Sequence, residues 1–204
     1  MTRERLPLRE PLLAEASQEV SEDGAEEKPS LALHVCCGPC ATSVIERLTK
    51  DWDLQAFWYN PNIQPSGEHS SRFEAMRRVA RMLDVPLIDL GYEVGDWLRA
   101  CDGLMHEAEG GVRCDECFRL RLERTACWAA RQSIETIATT LSVSPHKPAD
   151  VINEIGEAEA ARHGRAFLTR DFKQENGFQR SVELSKQWGI YRQNYCGCLP
   201  SGRG

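Results

Sequence analysis

The sequence predicts an α/β protein built on a parallel sheet with helices on both faces. Two observations support this fold class. Short apolar runs typical of buried strands alternate with longer stretches whose apolar residues recur at helical spacing. The repeated strand–helix order then favours parallel strands, because each helix carries the chain back across a face of the sheet.

The elements can be assigned in order along the chain. Five apolar runs are predicted as strands, at residues 31–35, 54–59, 85–90, 136–141 and 166–169. Six segments are predicted as helices, at residues 41–48, 68–83, 96–100, 117–130, 149–163 and 181–188. In the second helix, Phe73, Met76 and Ala80 share one face, which indicates an amphipathic helix packed on the sheet.

Polar and thiol-bearing residues follow four of the predicted strands. Cys36 follows the first strand, Asn60 the second, residues 142–147 the fourth and Asp171 the fifth. Ligands in open parallel sheets bind beyond the carboxyl ends of the strands. We therefore expect these loops to share one edge of the sheet and to form one site there.

Charge is unevenly distributed over the 204 residues, which carry a net charge of −6. Residues 1–29 hold four Lys/Arg and eight Asp/Glu, and the remaining residues hold 21 and 23. The first segment lacks apolar periodicity, so we predict a disordered acidic tail at 1–29 and one domain at 30–204. The net acidity argues against indiscriminate nucleic-acid binding, although a local basic patch is compatible with it.

The chain is expected to be cytoplasmic. It has no run of about 18 apolar residues that would span a membrane, and its N-terminus lacks the apolar core of a signal peptide. The nine cysteines are therefore expected to stay reduced and to serve as metal or catalytic groups rather than as a disulfide framework.

Seven of the cysteines fall into three groups. They are Cys36, Cys37 and Cys40 on a strand-to-helix turn, Cys114 and Cys117 at a helix start, and Cys196 and Cys198 near the C-terminus. Seven soft ligands exceed the four of a structural zinc site and suit an iron–sulfur cluster with thiols left over. Adjacent Cys36 and Cys37 are expected to point apart. We predict that Cys114, Cys117, one of Cys36/Cys37 and one of Cys196/Cys198 hold the cluster.

The remaining cysteines, Cys101 and Cys127, are interpreted as packed small hydrophobes. Two other functions fit the thiol pairs and stay open. One is a thiol–disulfide oxidoreductase that uses Cys114 and Cys117. The other is a zinc-stabilised RNA-binding module without catalysis.

Several ordered motifs resemble one family. They are HVCCGPC at 34–40, YNPNI at 59–63, EGGVRC at 109–114, TTLSVSPHK at 139–147, INEIG at 152–156, DFK at 171–173 and YRQNYCGC at 191–198. Over about residues 31–199 the chain resembles the QueH-type epoxyqueuosine reductases, the cobalamin-independent family. The acidic tail, Cys101 and Cys127 lie outside the resemblance.

The resemblance implies a Rossmann-like fold related to the adenine-nucleotide alpha-hydrolase group. It implies reduction of epoxyqueuosine to queuosine at the wobble position of tRNA, the last step of queuosine biosynthesis. The implied cofactors are a [4Fe–4S] cluster and a mononuclear iron, without cobalamin, served by a low-potential electron donor of the ferredoxin or flavodoxin type. Thiols stand where the related ATP enzymes carry their phosphate loop, which argues against ATP use.

Candidate site residues follow from position near the thiols. His146, Lys147 and Tyr195 are candidate proton donors, since removing an epoxide oxygen takes two electrons and two protons. For His146, an ordinary loop-ordering hydrogen bond is an equal alternative. Arg113, which directly precedes Cys114, is the first candidate for RNA contact, together with Asn60 and Arg192.

Overall fold

The computed structural model describes residues 27–201. The predicted tail at 1–29 therefore lies outside the described residues except for its last three. The predicted α/β class is confirmed by a five-stranded sheet in the order β3-β2-β1-β4-β5, in which every pairing is parallel. The strands are β1 (Ser30–His34), β2 (Asp53–Trp58), β3 (Leu87–Asp89), β4 (Thr136–Thr139) and β5 (Ala166–Phe167).

Six α-helices connect and cover these strands within the described residues. They are α1 (Gly38–Leu48), α2 (Ser66–Met82), α3 (Val94–Ala100), α4 (Val112–Arg131), α5 (Ala149–Arg162) and α6 (Gly177–Gln187). Short 3₁₀ helices lie at Thr140–Val143 and Leu199–Ser201. No helix in this part of the chain combines the length and apolar character needed to cross a membrane.

The side chains of β1 point alternately to the two faces of the sheet, and each face packs against its own hydrophobic core. Leu31, Leu33 and Val35 pack with α1 and α2 on one face. Ala32 packs with the alanines of α4 on the other face. A central strand that is buried on both faces is typical of a doubly covered parallel sheet, and it fixes the end of β1 firmly inside the molecule.

The predicted boundaries differ from the structure mainly at helix starts. Helix α4 begins at Val112 instead of residue 117, so both Cys114 and Cys117 lie within its first two turns. Helix α1 begins at Gly38, because Pro39 fits a first helical turn and Cys37 caps it. The fourth strand ends at Thr139, and residues 140–143 turn into a 3₁₀ helix. Helix α6 begins at Gly177, four residues before the predicted start.

Candidate metal centre

Three thiols lie at the carboxyl edge of the sheet in residues 35–40, which lead from the end of β1 into the first turn of α1. We call these residues the cysteine turn. The Sγ atoms of Cys36, Cys37 and Cys40 all lie within 4.8 Å of one another. The expectation that Cys36 and Cys37 point apart is therefore wrong. Cys37 is the N-cap residue of α1, where the chain leaves the strand, so the side-chain alternation of a strand does not extend through this pair.

Hydrogen bonds from a neighbouring strand's loop fix this cysteine turn. The Cys36 N–H donates to Thr140 Oγ1 at 3.0 Å, and that hydroxyl lies 3.3 Å from Cys36 Sγ. The Cys40 N–H donates to Cys37 Sγ at 3.4 Å, as in a helix cap. The thiols are thus held by backbone and by Thr140, which directly follows β4.

A buried polar network lies beneath the turn. His34 Nδ1 lies 2.9 Å from Thr139 Oγ1. Burial, with the nearby Arg121 charge, lowers the pKa of His34 to about 3, so this ring is neutral. Asn60 donates from Nδ2 to the Val35 carbonyl at 3.0 Å and is fully buried. The structure therefore places Asn60, a predicted RNA contact, under the turn and away from the surface.

The first turns of α4 bring the second thiol group to the same region. Cys114 is half-buried, and its Sγ accepts a hydrogen bond from the Gly110 N–H at 3.2 Å. Cys114 and Cys36 pack against one apolar cluster between α4 and α5. Cys117 is buried beside Cys198 and Cys101, which links the second group to the third and confirms that Cys101 is a packed core residue.

The C-terminal segment, residues 191–198, delivers the third group without forming a helix or strand. Arg72 of α2 donates to the carbonyls of Cys196 at 2.8 Å and Tyr195 at 3.3 Å. The same guanidinium is paired with Glu68 at 2.6 Å and lies over the Tyr195 ring. A buried arginine thereby clamps this segment onto α2. Gly197, at φ +116°, lies against it, where a side chain would collide with Arg72.

A cleft of about 600 Å³ opens between the cysteine turn and the C-terminal segment, and Cys114 and Cys117 are absent from its lining. Its lining includes thiols of two groups and several cations: Cys36, Cys37, Cys40, Cys196, Arg72, Arg121, Lys147 and Arg192. His146 and Tyr195 line it as well. Five predicted site residues outside the cysteine turn, namely His146, Lys147, Arg192, Tyr195 and Cys196, thus surround one space, as the shared edge of the strands predicts.

Electrostatics in this cleft favour a thiolate at Cys36 and at Cys196, whereas hydrogen bonds to these two raise the pKa values of Cys37, Cys40 and Cys198. Hydrogen bonds from Cys37 and Cys40 lower the pKa of Cys36 well below its ordinary value, although burial opposes the shift. A hydrogen bond from Cys198 lowers the pKa of Cys196 to about 5. Burial acts to lower the pKa of Lys147, but the negative charges on Cys196, Cys36 and Cys40 raise it above its ordinary value.

Arg113, the first candidate for RNA contact, lies elsewhere. Its side chain is 1% exposed and donates to the backbone carbonyls of Met105 and Glu107. It therefore orders the loop before α4 and is absent from the cleft lining. Sequence reasoning also missed Arg121 and Arg72 as parts of the site. Arg121 carries one local signal, its position one helical turn after Cys117 on the same face of α4.

The donor set fits a metal centre. Thiolates are soft ligands that select iron–sulfur groups or zinc. The cysteine turn is the single group of three or more His, Cys, Asp or Glu ligand atoms this close together within residues 27–201. The fold and the site together define a parallel α/β protein with a thiolate metal centre at the carboxyl edge of its sheet.

Comparison with known proteins identifies the family. The sequence model of the family described as "Epoxyqueuosine reductase QueH" matches residues 31–203, and the chain belongs to this family. It is 36% identical over 178 residues to epoxyqueuosine reductase QueH of Streptococcus pyogenes serotype M1, covering 84% of this chain and 70% of that protein. It is 37% identical over 173 residues to the Thermotoga maritima protein of the same name, covering 83% and 88%. The family predicted from the motifs is confirmed.

Proposed function

We propose that this chain reduces epoxyqueuosine to queuosine at the wobble position of a tRNA in the cytoplasm. The observation that carries the proposal is the convergence of Cys36, Cys37 and Cys40 within 4.8 Å, on the wall of a cleft of about 600 Å³, in a chain of this family. The relatives are named epoxyqueuosine reductases, and we propose that this chain acts on the same substrate.

The thiols are proposed to hold a [4Fe–4S] cluster and a mononuclear iron. The cysteine turn supplies one compact ligand group, and Cys114, Cys117, Cys196 and Cys198 supply the remaining thiolates around it. When bound, an iron–sulfur group supplies single electrons and an iron with an open position supplies Lewis acidity. Cobalamin is not part of the proposal, and a low-potential protein of the ferredoxin or flavodoxin type is the proposed source of electrons.

The reaction balances with two electrons and two protons. Both C–O bonds of the epoxide break, a C=C bond forms, and the oxygen leaves as water. The protons must come from groups that reach the cleft. Lys147 is half-buried in its wall, His146 is exposed at its mouth, and Tyr195 donates its hydroxyl to the Gln64 carbonyl at 3.1 Å. Lys147 is the strongest candidate to act on the oxygen, because its raised pKa keeps it positively charged and a fixed cation stabilises an oxygen that gains negative charge.

RNA contact is assigned to the mouth of the cleft. A modified nucleotide must be splayed out of its loop to reach a recessed metal centre. Arg192 lies at the cleft, is exposed, and stands 5.3 Å from the Phe178 ring centroid. A guanidinium in this place can pair with a phosphate while the base enters, and binding should then weaken as salt rises.

The test combines metal analysis with turnover. The full chain is purified and reconstituted without oxygen, its iron and sulfide are measured, and tRNA containing epoxyqueuosine is followed by mass spectrometry of its nucleosides with a chemical reductant. Iron and sulfide in the wild type together with queuosine formation would support the proposal. Zinc in place of iron without turnover would favour the RNA-binding module, and a colourless protein with a titratable dithiol would favour the thiol–disulfide oxidoreductase.

Two cysteine variants on one helix sharpen this test. Cys114→Ser should abolish most of the iron–sulfur absorption and the turnover with it, because a ligand is lost. Cys127→Ser is the matched control on α4, since Cys127 is as partly buried as Cys114 but belongs to none of the three thiol groups. Full cluster content in Cys114→Ser would exclude Cys114 as a ligand.

A further inference from the structure

Arg121 is buried at the back of the cleft and contacts a cysteine directly. Its side chain is 2% exposed and lines the cleft beside the cysteine turn. Nη1 lies 3.9 Å from Cys117 Sγ, and Nη2 donates to Asn60 Oδ1 at 2.5 Å. Nε is buried and has no hydrogen-bond partner among the described residues. The guanidinium is thus only partly satisfied by neutral groups.

The charge of Arg121 lacks an anionic partner of the usual kind. Among residues 27–201, no carboxylate oxygen lies within 4.0 Å of it. By contrast, the buried Arg72 is paired with Glu68 at 2.6 Å, and Arg119 and Arg124 on the same helix pair with Glu116 and Glu93. A buried cation without a counter-charge is unfavourable, because the loss of its hydration is not compensated. The group within contact that can become an anion is the Cys117 thiol, whose pKa burial raises and the Arg121 charge lowers.

We propose that Arg121 is the built-in counter-charge of the thiolate centre, a positioning residue that raises its affinity for metal and its reduction potential. Arg121 donates toward Cys117, while Asn60 holds the other arm of the guanidinium in place. Asn60 is itself tied to the Val35 carbonyl at the start of the cysteine turn. One side chain therefore couples α4, which carries the second thiol group, to the turn that carries the first. The inference rests on the proposed function in that the thiols must hold metal.

Two physical consequences follow from a fixed positive charge at this place. It offsets the mutual repulsion of several thiolates that bind one metal group, so its removal should weaken binding. Partners outside the ligand shell typically change metal affinity by about 10–100-fold. It also favours the addition of an electron to a nearby group, so its removal should make the reduction potential more negative.

The experiment uses Arg121→Met and Arg121→Lys in the full chain, with Arg119→Met as the control on the same helix. Arg119 is 41% exposed at its side chain and does not line the cleft. Co²⁺ binding to the metal-free reduced protein is followed through thiolate charge-transfer absorption, and the midpoint potential of the reconstituted protein is measured by dye-mediated titration. Thermal unfolding reports folding for each variant.

The Arg121→Met variant should bind Co²⁺ at least tenfold more weakly. Its midpoint reduction potential should fall by about 59 mV, which corresponds to a tenfold change in a one-electron equilibrium. Arg121→Lys should recover most of the potential, because the charge is kept, and Arg119→Met should match the wild type. Unchanged affinity and potential in a folded Arg121→Met would overturn the proposal. Equal losses in Arg121→Met and Arg121→Lys would also overturn it, since a shape requirement alone would then explain both.

Neither measurement involves RNA, so the two proposals fail in different ways. If the wild type binds metal but leaves epoxyqueuosine unreduced, the proposed function is wrong while the role of Arg121 is judged from the variants. If the wild type is active and Arg121→Met retains its affinity and potential, the role of Arg121 is wrong and the function stands. A wild type that takes up neither Co²⁺ nor iron overturns both.

Discussion

The cysteine turn and the C-terminal segment deliver thiols to the same cleft, but different forces hold them. The turn continues directly from β1, and the Val35 N–H donates to the Phe57 carbonyl at 2.9 Å. The C-terminal segment has no ladder of backbone hydrogen bonds to a strand. Side-chain contacts hold it instead: Arg72 donates to its carbonyls, Tyr195 donates to the Gln64 carbonyl, and Tyr191 donates to Glu68. The Gln64 N–H also donates to the Gly197 carbonyl at 2.7 Å, and Cys198 is buried beside Cys117 and Cys101.

This difference teaches where the centre is rigid and where it depends on single side chains. A turn that follows a central strand shares the stability of the whole sheet, so several contacts must fail before its thiols move. A segment held mainly through side chains can detach while the sheet stays folded, because its opening breaks no strand pairing. We expect the third thiol group to be the part of the centre that is lost most easily.

The largest effect is expected from removing the Arg72 side chain, which holds the C-terminal segment against α2. Arg72→Met leaves Glu68 partly buried without its cation and removes two hydrogen bonds to carbonyls, at a cost of about 3–5 kcal/mol for breaking a buried pair. Metal content should fall together with the melting temperature, because Cys196 is no longer held at the cleft. Both are measured on the reconstituted full chain.

The control for this change lies on the same helix. Arg77 is 53% exposed at its side chain and pairs with exposed Glu74, so Arg77→Met should be close to neutral. Full metal content and an unchanged melting temperature in Arg72→Met would show that the C-terminal segment keeps its place without the clamp.

A smaller effect is expected at the cysteine turn itself. A Cβ added at Gly38 would lie 2.9 Å from the Ala75 carbonyl carbon, so α1 and α2 approach each other backbone to backbone there. Gly38→Ala should destabilise the fold by about 1–3 kcal/mol, as overpacking does. The metal content of the protein that remains folded should stay high, because the turn is held on its other side by Thr140.

The matched control is Gly67→Ala on α2, where an added Cβ meets no atom within 4 Å. This change should leave the free energy of unfolding unchanged or raise it by about 0.4–1 kcal/mol, because alanine restricts the unfolded chain more than glycine does. If Gly38→Ala were as stable as Gly67→Ala, the close contact between α1 and α2 would tolerate an added methyl group. The cysteine turn would then be less tightly packed than we infer.

The same two regions show what sequence reasoning can and cannot predict. Alternating strand and helix patterns predicted the parallel sheet and the shared edge, because these depend on local periodicity and on rules of chain connection. The clustering of Cys36, Asn60 and residues 142–147 near that edge follows from those rules alone. The start of α1 was also readable in principle, since Pro39 marks a first helical turn.

The contacts of individual side chains were harder to predict, because their partners lie far away in the sequence. Arg72 and Cys196 are 124 residues apart, and no periodicity in residues 191–198 signals where that segment lies. Arg113 was placed near metal by its neighbour Cys114, yet on a helix adjacent residues point about 100° apart, and its side chain turns into the preceding loop. Asn60 was predicted to contact RNA, but it is buried under the cysteine turn, where it donates to the Val35 carbonyl.

The smallest expected effect concerns His69, which joins α2 to the end of β2. His69 lies in the first turn of α2, the helix that carries the clamp, and its Nε2 accepts a hydrogen bond from Trp58 Nε1 at the end of β2 at 3.0 Å. Its ring stacks on Tyr92 at 4.0 Å between centroids. Burial lowers the pKa of His69, Arg72 lowers it further, and Asp89 opposes the shift.

The sign of the resulting pH dependence is fixed by proton binding in the two states. Below about pH 6.5, the ordinary value for histidine, the unfolded chain protonates His69 while the folded chain keeps it neutral until the pH reaches its lowered pKa. The unfolded state therefore binds more protons, and this residue makes unfolding easier as the pH falls through that window. His69→Gln can still accept from Trp58 but does not titrate. Melting temperatures of wild type and variant at pH 8 and pH 5.5 should show a smaller acid-induced loss in His69→Gln, with no difference in metal content at pH 8. Parallel losses in the two proteins would mean that His69 protonates equally well when folded, and that the junction between β2 and α2 is open to water.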